Sequence, residues 1–276
     1  NYSMPMKAPI AQKIPHRIQI HKTRRLDNYH WMRLTDKQKE SKKKDEQTKD
    51  VLSYINKENA YTRSICKGTE KLQKKLFKEI IGRIKKDDER IPYKYNGYWY
   101  ITKLKKGKEY PIYYRKKRSM KAKPELLLDV NKLAKGHDYF DLHFSGLNIS
   151  LDNNILVYAL DTSGRRNYDL IFINLKTGKI LKDRISKTDG NGVWANDNNT
   201  LFYIKNDPIT LLGDKVFKHR IGTKTTKDQL VYEELDKSFY MGIWKSKSGK
   251  FIIIEQNSTL SNDYHILNAN DPNGVF

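Results

Sequence analysis

The spacing of apolar residues changes from helical to strand-like over residues 58–117. In the first half, apolar side chains recur at steps of three and four residues, namely Leu72, Leu76, Phe77, Ile80, Ile81 and Ile84. This spacing places one apolar stripe along a helix. In the second half, aromatic strand formers flank Asn96 and Gly97. Because Asn-Gly accepts positive φ at both turn positions, the pattern predicts a tight β-hairpin after a long helix.

The preceding residues predict another helix and an extended arm. Apolar positions over residues 51–65 fit an amphipathic helix that ends at residues 67–69, with Gly68 as the C′ residue and Thr69 as the N-cap of the next helix. Scattered prolines favour an extended arm over residues 1–26. The aromatic segment 26–34, which contains Trp31, resembles a plug that docks on another surface, and we expect the charged residues 35–50 to be exposed.

From residue 91 onward, short strands recur with a regular period. Turn sequences at residues 152–154, 197–199 and 248–250 each precede a strand, at intervals of about 45 to 50 residues, the scale of a propeller blade. The strands predicted in these three units are 155–160, 169–174 and 179–185; 200–205, 215–221 and 229–235; and 251–255 and 264–268. The hairpins at 96–97 and 110–114, followed by strand 125–130, supply an earlier unit.

These patterns predict a mainly β fold. About four blade units form an incomplete β-propeller, and an N-terminal extension with two α-helices precedes it. A β-sandwich of short strands is the alternative, which the regular period disfavours because Greek-key connections do not demand it.

The cationic excess indicates little about partners. The formal net charge is +22, but most of the cations are Lys and they are spread along the chain. A clustered basic surface would indicate nucleic acid, whereas dispersed lysines are typical of a solvated surface, so we predict no nucleic-acid partner. No apolar run approaches the ~20 residues that a membrane span requires.

Cysteine usage favours a reducing compartment. Cys66 is the only cysteine, so it forms no internal disulfide and no cysteine metal cage. We expect it to be a half-buried helix residue in a cytoplasmic protein. A leader upstream of Asn1 would instead favour the periplasm.

The sequence offers no catalytic nucleophile. A serine hydrolase on an α/β scaffold needs a Gly-x-Ser-x-Gly elbow, which does not occur in these 276 residues. The serine–glycine pairs at 145–146, 163–164 and 248–249 are interpreted as turns. There is also no glycine-rich phosphate loop. We therefore predict no catalytic and no cofactor-binding residue, and no cofactor.

Two polar groups come nearest to a site. His137 and His143 bracket Asp138 and Asp141 in one loop, which we interpret as loop hydrogen bonding rather than a metal site because no cysteine partner is present. The acidic run 87–89 shows no sign of burial, so its carboxylates are not tuned for proton transfer and form a solvated connector. No metal-ligating residue is predicted.

Ten short segments together resemble a known protein family, although no single segment is specific for it. They are DNYHW (27–31), YINKENAY (54–61), IIGRIKKDD (80–88), GYWY (97–100), YPIY (110–113), GHDYFD (136–141), DTSG (161–164), TLFY (200–203), HRIGT (219–223) and DPNG (271–274). Taken in order they span nearly the whole chain, which resembles the oligopeptidase B group of the prolyl oligopeptidase family of serine peptidases. None of the segments is a catalytic motif.

The resemblance implies that separate domains have separate functions. Members of the family have an N-terminal extension that packs on a C-terminal α/β-hydrolase domain, with a seven-bladed propeller that admits only short peptides. The oligopeptidase B group cleaves after Lys or Arg with a serine, an aspartate and a histidine of the C-terminal domain, to which no position here corresponds. Residues 1–68 would then be an arm and helix that contact the catalytic domain, 69–90 a connecting helix, and 91–276 an incomplete propeller.

Two functions follow from different classes. In the first, this chain gates substrate access and docks the catalytic domain, and it is inactive alone. In the second, it is a stand-alone β-propeller interaction module with a basic surface. An adjacent reading frame for a hydrolase domain would favour the first, and a stable, monodisperse protein of this length would favour the second.

Overall fold

The computed structural model describes residues 6–143 and 147–276, so the predicted turn at 145–146 lies outside the described residues. The chain forms two compact units, Asn1–Lys85 and Lys86–Phe276. The first contains the long helices, and the second consists mainly of strands. The predicted fold class, mainly β with a helical N-terminal extension, is confirmed.

The first unit contains a β-hairpin where the sequence predicts an extended arm. Strand β1 (His16–Ile20) pairs antiparallel with strand β2 (Thr23–Asp27). Between them, His21 and Lys22 have φ angles of 49° and 65°, the left-handed region that a two-residue hairpin turn requires. The prediction is wrong here because His-Lys carries none of the Asn or Gly signal that marks such a turn.

The aromatic segment around Trp31 finds its partners within the first unit. A single 3-10 turn, His30–Met32, presents Trp31 to a helix, where its ring lies 6.3 Å edge-on from that of Tyr54. The indole Nε1 donates to the carbonyl of Gln12 at 2.8 Å, and Gln47 Nε2 donates to the carbonyl of Trp31 at 2.8 Å. The segment therefore has partners inside its own unit, where Gln12 satisfies the indole N–H and Tyr54 contacts the ring, and its docking on another surface stays a prediction.

Three helices follow, α1 (Asp36–Glu40), α2 (Glu46–Cys66) and α3 (Glu70–Gly82). Helix α1 begins with a capping box between Thr35 and Gln38, and the Asp45 carboxylate accepts from the Thr48 amide at the start of α2. Within residues 6–143 and 147–276, no helix combines the length and apolar character needed to cross a membrane.

The junction between α2 and α3 differs from the prediction. A 3-10 turn, Lys67–Thr69, joins the helices, and its residues keep right-handed helical angles. Thr69 Oγ1 donates to the carbonyl of Cys66 at 2.7 Å and caps no amide of α3. Gly68 is not among the glycines with positive φ. Both cap assignments are wrong, because a chain that continues to turn in the helical sense needs neither a left-handed residue nor a new N-cap.

Helix α3 carries the predicted apolar stripe on its exposed surface. Phe77 is 66% exposed, Ile80 59% and Leu72 55%. Cys66, at the end of α2, is also exposed rather than half-buried, because the last residues of this helix, Ile65 included, are all exposed. The stripe confirms the periodicity but makes no core within its own unit.

The second unit contains three antiparallel sheets. The first sheet consists of β3 (Asp88–Glu89), β4 (Tyr93–Tyr95), β5 (Tyr98–Leu104), β6 (Ile112–Lys117) and β7 (Glu125–Asp129). After a short helix α4 (Val130–Leu133), the second sheet consists of β8 (Asp141–Leu142), β9 (Asn148–Ile149), β10 (Ile155–Asp161), β11 (Tyr168–Asn174), β12 (Lys179–Trp194), β13 (Thr200–Asn206), β14 (Gly213–Arg220) and β15 (Gln229–Glu233). The third consists of β16 (Tyr240–Lys245), β17 (Phe251–Asn257) and β18 (Asn262–Asn268). Every strand predicted from the repeat is present.

Strand β12 belongs to two blades. Its N-terminal part pairs with β11 and its C-terminal part with β13. The ladder is irregular between Thr188 and Gly192, where Gly190 has a φ of 96°. The second sheet therefore divides at Gly190 into two blades, which brings the number of blades to four. The sequence predicts only residues 179–185 of this strand, because the break at Gly190 hides its continuation.

Apolar layers lie between successive blades. Tyr100, Leu127 and Leu128 of the first blade meet Leu156 and Tyr158 of the second. The second meets the third through residues such as Leu170, Phe172, Trp194 and Leu201. The third meets the fourth through residues such as Phe202, Val216, Ile252 and Ile254. A β-sandwich has one such layer, so three successive layers fit the propeller and exclude the sandwich.

The repeat's turn sequences fold as predicted and also join one blade to the next. Asn153 and Asn198 have φ angles of 62° and 58°, and the preceding aspartates accept from amides two residues on. Hydrogen bonds link turns of successive blades, among them those from Asn96 Nδ2 to the Leu151 carbonyl (2.5 Å), from the Asp152 amide to Asn198 Oδ1 (2.7 Å) and from Asn196 Nδ2 to the Gly249 carbonyl (3.1 Å).

A buried histidine ties the second blade to the third. His219 of β14 is fully buried, its Nδ1 lies 2.7 Å from Asp228 Oδ1 and its Nε2 lies 3.0 Å from Asp183 Oδ1. Asp183 also accepts from the Gly222 amide at 2.6 Å, and Asp228 accepts from the Tyr203 hydroxyl at 2.9 Å. Burial lowers the pKa of His219, but the hydrogen bonds to Asp228 and Asp183 outweigh it and raise that pKa above its usual value.

Replacing Asp183 tests this clamp. Asp183→Asn is expected to lower the free energy of unfolding by about 3 kcal/mol near pH 6, because it leaves a buried imidazolium with one carboxylate. Since the pKa of His219 is raised in the folded state, the stabilisation is complete below pH ~6.5 and is lost as the pH rises through the raised value. Urea unfolding of both proteins from pH 5 to 9 measures the difference, which should shrink with rising pH. A constant difference would contradict the assignment. The control Asp169→Asn, which removes an exposed pair with Arg184, should cost less than about 1 kcal/mol.

Gly190 provides a second test. A Cβ at Gly190 would lie 2.6 Å from the His143 ring, whereas one at Gly97, which also has positive φ, would meet open space. Gly190→Ala should therefore cost about 2 to 4 kcal/mol of unfolding free energy, from backbone strain and steric overlap together. Gly97→Ala should cost about 1 kcal/mol, from strain alone. Equal losses in urea unfolding would show that His143 is not held against the strand.

Candidate functional site

The first strands of all four blades line one cavity. It has a volume of about 440 Å³, and β4, β5, β9, the C-terminal part of β12 and β16 contribute to its wall. Its aromatic lining residues are Tyr93, Tyr95, Tyr100, Trp194 and Trp244. This cavity is the candidate functional site, because it is the place where every blade presents side chains to a common space.

The hairpin at Asn96-Gly97 positions the tyrosines. Asn96 and Gly97 have φ angles of 45° and 80°, as predicted, and the turn sets Tyr93 directly opposite Tyr100. The two rings stack with their centroids 5.2 Å apart. Tyr100 is buried, and burial raises its pKa to about 12 although Arg115 opposes the shift. Tyr93 is 58% exposed, so this pair offers one anchored ring and one accessible ring.

The tryptophan side of the cavity is fixed by a half-buried lysine. Lys245 Nζ donates to the Trp194 carbonyl at 2.9 Å and to Asn196 Oδ1 at 2.6 Å. Burial lowers the pKa of Lys245, and Asp197 opposes that shift. Trp194 Nε1 donates to the Asn148 carbonyl at 3.3 Å, whereas Trp244 is 41% exposed. Lys245 thus holds the fourth blade against the third and leaves the Trp244 ring accessible.

The described wall of this cavity is mainly aromatic and apolar. The described lining residues are aromatic, aliphatic and amide side chains, glycine and one lysine, with no carboxylate, serine or histidine among them. Such a wall can contact peptide backbone and apolar side chains. It contains no nucleophile with an adjacent base.

The polar groups noted in the sequence do not converge on this cavity. Asp141 accepts from the Tyr168 hydroxyl at 2.6 Å, and the His143 ring lies edge-on to Tyr168 at 4.8 Å. The His137 ring lies 5.9 Å from that of Phe140. Among the residues that the structure describes, no group of three or more His, Cys, Asp or Glu side chains could hold a metal ion.

The acidic run and the serine–glycine turns have local partners. Asp87 accepts from the Lys106 amide at 2.8 Å, and Glu89 pairs with Lys103 at 2.9 Å near the surface. Ser163 Oγ donates to Asp161 Oδ1 at 2.6 Å within its turn. Ser248 Oγ lies 3.0 Å from Ser246 Oγ.

Sequence reasoning missed the His219 clamp and the role of Lys245. His219 is recognisable only as part of the HRIGT segment, and its partners Asp183 and Asp228 lie 36 and 9 positions away. Lys245 looks like any other lysine of a lysine-rich chain. Alternation within β14 and β16 could have indicated inward-facing positions, but it could not have named their partners.

Comparison with known proteins extends these observations. The sequence profile for the prolyl oligopeptidase N-terminal β-propeller domain matches residues 9–276. Dipeptidyl aminopeptidase BI of Pseudoxanthomonas mexicana is 40% identical over 284 residues, which cover 97% of this chain and 38% of that protein. Protease 2 of Moraxella lacunata is 29% identical, with the same two coverages.

Solved structures agree with the sequence comparison. Oligopeptidase B from Leishmania major superposes with a TM-score of 0.85 at 27% identity, over 97% of this chain and 38% of that one. The chain thus spans about 38% of the length of these relatives. The profile match over residues 9–276 and the four stacked blades lead to one conclusion: this chain belongs to the prolyl oligopeptidase family and contains its N-terminal β-propeller domain.

Proposed function

We propose that this chain is the propeller-bearing portion of an oligopeptidase B-like serine peptidase that cleaves short peptides after Lys or Arg. In this proposal it gates substrate access and docks a C-terminal α/β-hydrolase domain that carries the serine, aspartate and histidine. The chain itself performs no chemistry. The single cysteine favours a cytoplasmic setting.

One observation carries the proposal. A family profile for an N-terminal propeller domain matches almost the whole chain, yet the chain covers only 38% of relatives whose names are those of peptidases. These 276 residues also contain no Gly-x-Ser-x-Gly elbow. A peptidase activity would therefore need residues that lie outside them.

The α3 stripe supports the docking role. Phe77, Ile80 and Leu72 are more than half exposed on one helix face. An apolar patch of this kind marks an interaction surface. We assign the catalytic domain as its partner, with residues 1–68 and the connecting helix 69–90 forming the docking region.

The cavity at the first strands supports the gating role. At about 440 Å³ it has room for a few side chains but not for a folded protein. The accessible rings of Tyr93 and Trp244 narrow it from opposite blades. A peptide that reaches a catalytic domain through this space would be selected by its length and width.

Reconstitution tests the docking role. The chain alone should not hydrolyse Lys- or Arg-blocked chromogenic peptides and should not react with serine-directed probes. Co-expressed with the remaining segment of the 40%-identical dipeptidyl aminopeptidase BI, it should co-purify with that segment and restore hydrolysis. Phe77→Lys with Ile80→Lys should weaken the association at least tenfold, about 1.4 kcal/mol, because two charges would be buried in an apolar contact.

A matched control uses the opposite face of α3. Lys71→Gln with Lys78→Gln should leave the association unchanged, and circular dichroism should show all variants equally helical. Hydrolysis or probe labelling by the chain alone would overturn the proposal. Equal association of the two double variants would remove α3 from the docking surface.

The gating role predicts a change in length selectivity. In the reconstituted peptidase, Trp244→Ala should raise kcat/KM for peptides of about twenty residues relative to a blocked dipeptide, by about threefold to tenfold (0.7 to 1.4 kcal/mol), since the larger opening no longer excludes them. Phe251→Ala removes a similarly exposed ring of β17 that does not line the cavity. An unchanged ratio for Trp244→Ala, or the same rise for Phe251→Ala, would argue against passage through this cavity.

A further inference from the structure

A second cavity, which we call the crossover cavity, lies where β12 passes from the second blade to the third. It has a volume of about 450 Å³, and its polar lining residues are His143, Arg166, Tyr168, Asp189 and Asn206. None of these residues lines the cavity at the first strands. The proposed gating and docking roles therefore do not use it.

Asn206 lines this cavity and carries an unpaired acceptor. The residue is 7% exposed, and its Nδ2 donates to the Thr188 carbonyl at 3.0 Å and to the Arg166 carbonyl at 3.4 Å. Two carbonyls fix the orientation of the amide, because only its nitrogen can donate to them. Oδ1 is buried and accepts no hydrogen bond from the described part of the chain. A buried acceptor without a hydrogen-bond donor costs free energy, and a ligand that donates to it would remove that cost.

Asp189 places a carboxylate without a cationic partner at the same cavity. Its carboxylate accepts from the Asn191 amide at 2.8 Å and from Asn191 Nδ2 at 2.7 Å, both neutral donors. It makes no ion pair within the described ranges. Burial raises the pKa of Asp189 to about 7, although the bonds from Asn191 oppose this. A carboxylate without a cation is costly to bury, and a bound cation would remove that cost.

Among the described residues, the other lining groups form no ion pair with Asp189 and donate no hydrogen bond to Asn206 Oδ1. Burial lowers the pKa of His143, although Asp141 opposes it, so the imidazole is neutral at pH 7. The Tyr168 hydroxyl is committed to Asp141. Arg166 is exposed at the rim, with its backbone amide bound to Asp161.

Two glycines lie beside residues that line the cavity. Gly190 runs beside the His143 ring, where a Cβ would come within 2.6 Å. A Cβ on Gly213 would lie 2.5 Å from Ile204 Cγ2 and 3.7 Å from Asn206 Oδ1. Gly213 therefore borders the cavity with backbone alone, next to the Asn206 side chain.

We propose that the crossover cavity binds a hydrogen-bond-donating organic cation, an ammonium or guanidinium group, which pairs with Asp189 and donates to Asn206 Oδ1. Such a group occurs at a peptide N-terminus, on Lys and on Arg. Its N–H groups can donate to both acceptors at once, whereas sodium and a quaternary amine have no N–H group to donate. The inference does not depend on the proposed function, since binding here needs no catalytic domain.

Titration of the 276-residue chain with small cations tests the proposal. The probes are ethylammonium and ethylguanidinium chloride, with tetramethylammonium and sodium chloride at equal ionic strength as controls, and the readout is the amide signals of Gly190 and Asn191 in ¹H–¹⁵N spectra. At about pH 8 at least one probe should bind with a dissociation constant on the order of 1 mM. Tighter binding of ethylguanidinium would indicate an arginine side chain, and tighter binding of ethylammonium an amine.

Substitutions and pH provide independent readouts. Asp189→Asn should weaken binding at least tenfold, while Asp263→Asn, an exposed carboxylate of β18, should not change it. Because Asp189 is ionised above its raised pKa, binding by the unaltered chain should fall at least tenfold between about pH 8 and pH 5.5. The pH dependence of binding tests the proposal even if Asp189→Asn does not fold. Binding that tetramethylammonium or sodium reproduces, that survives Asp189→Asn, or that is equal at both pH values would overturn the proposal, as would no binding by either probe at about 100 mM.

Discussion

The second unit depends on one constraint, which is that no blade can bury its own faces. Phe172, Leu201 and Ile254 all lie in layers between blades rather than within one. Each sheet is therefore stable only against its neighbours, as in other repeat architectures. The turn-to-turn hydrogen bonds and the His219 clamp are secondary to this packing, since they fix the angle between blades that apolar contact already holds together.

The sequence predicts the repeat accurately for a physical reason. Asp-Asn-Asn turns and the strands behind them are local signals, because Asn accepts positive φ and Asp bonds to the backbone two residues on. The errors fall where local signals are weak or misleading. The His21-Lys22 turn lacks the usual residues, Gly68 suggests a helix end that the continuing 3-10 turn cancels, and Gly190 interrupts the pattern of β12. Contacts between distant positions, such as those of His219 and Trp31, leave no periodic trace at all.

The two cavities show the same difference between local signals, which the sequence reveals, and contacts between distant residues, which it does not. The tyrosines at the first cavity could be placed from the Asn96-Gly97 hairpin, but their meeting with Trp244 depends on four blades packing in order. The crossover cavity is less visible still. Asp189 and Asn206 are ordinary polar residues in the sequence, and only the fold shows that they share a cavity in which Asn206 Oδ1 accepts no hydrogen bond from the described residues. A charge of +22 on the whole chain thus coexists with a local demand for positive charge.

Strand β12 has a consequence for the dynamics of the protein. The second and third blades share this strand, so neither can detach without breaking a continuous ladder, whereas α4 with its loop follows β7 and a loop precedes β16. The middle two blades should therefore exchange their amide hydrogens as one cooperative unit, and the outer two should open separately and at lower free energy. Opening of the second and third blades would then be coupled through β12 and rarer than opening of the blade on either side.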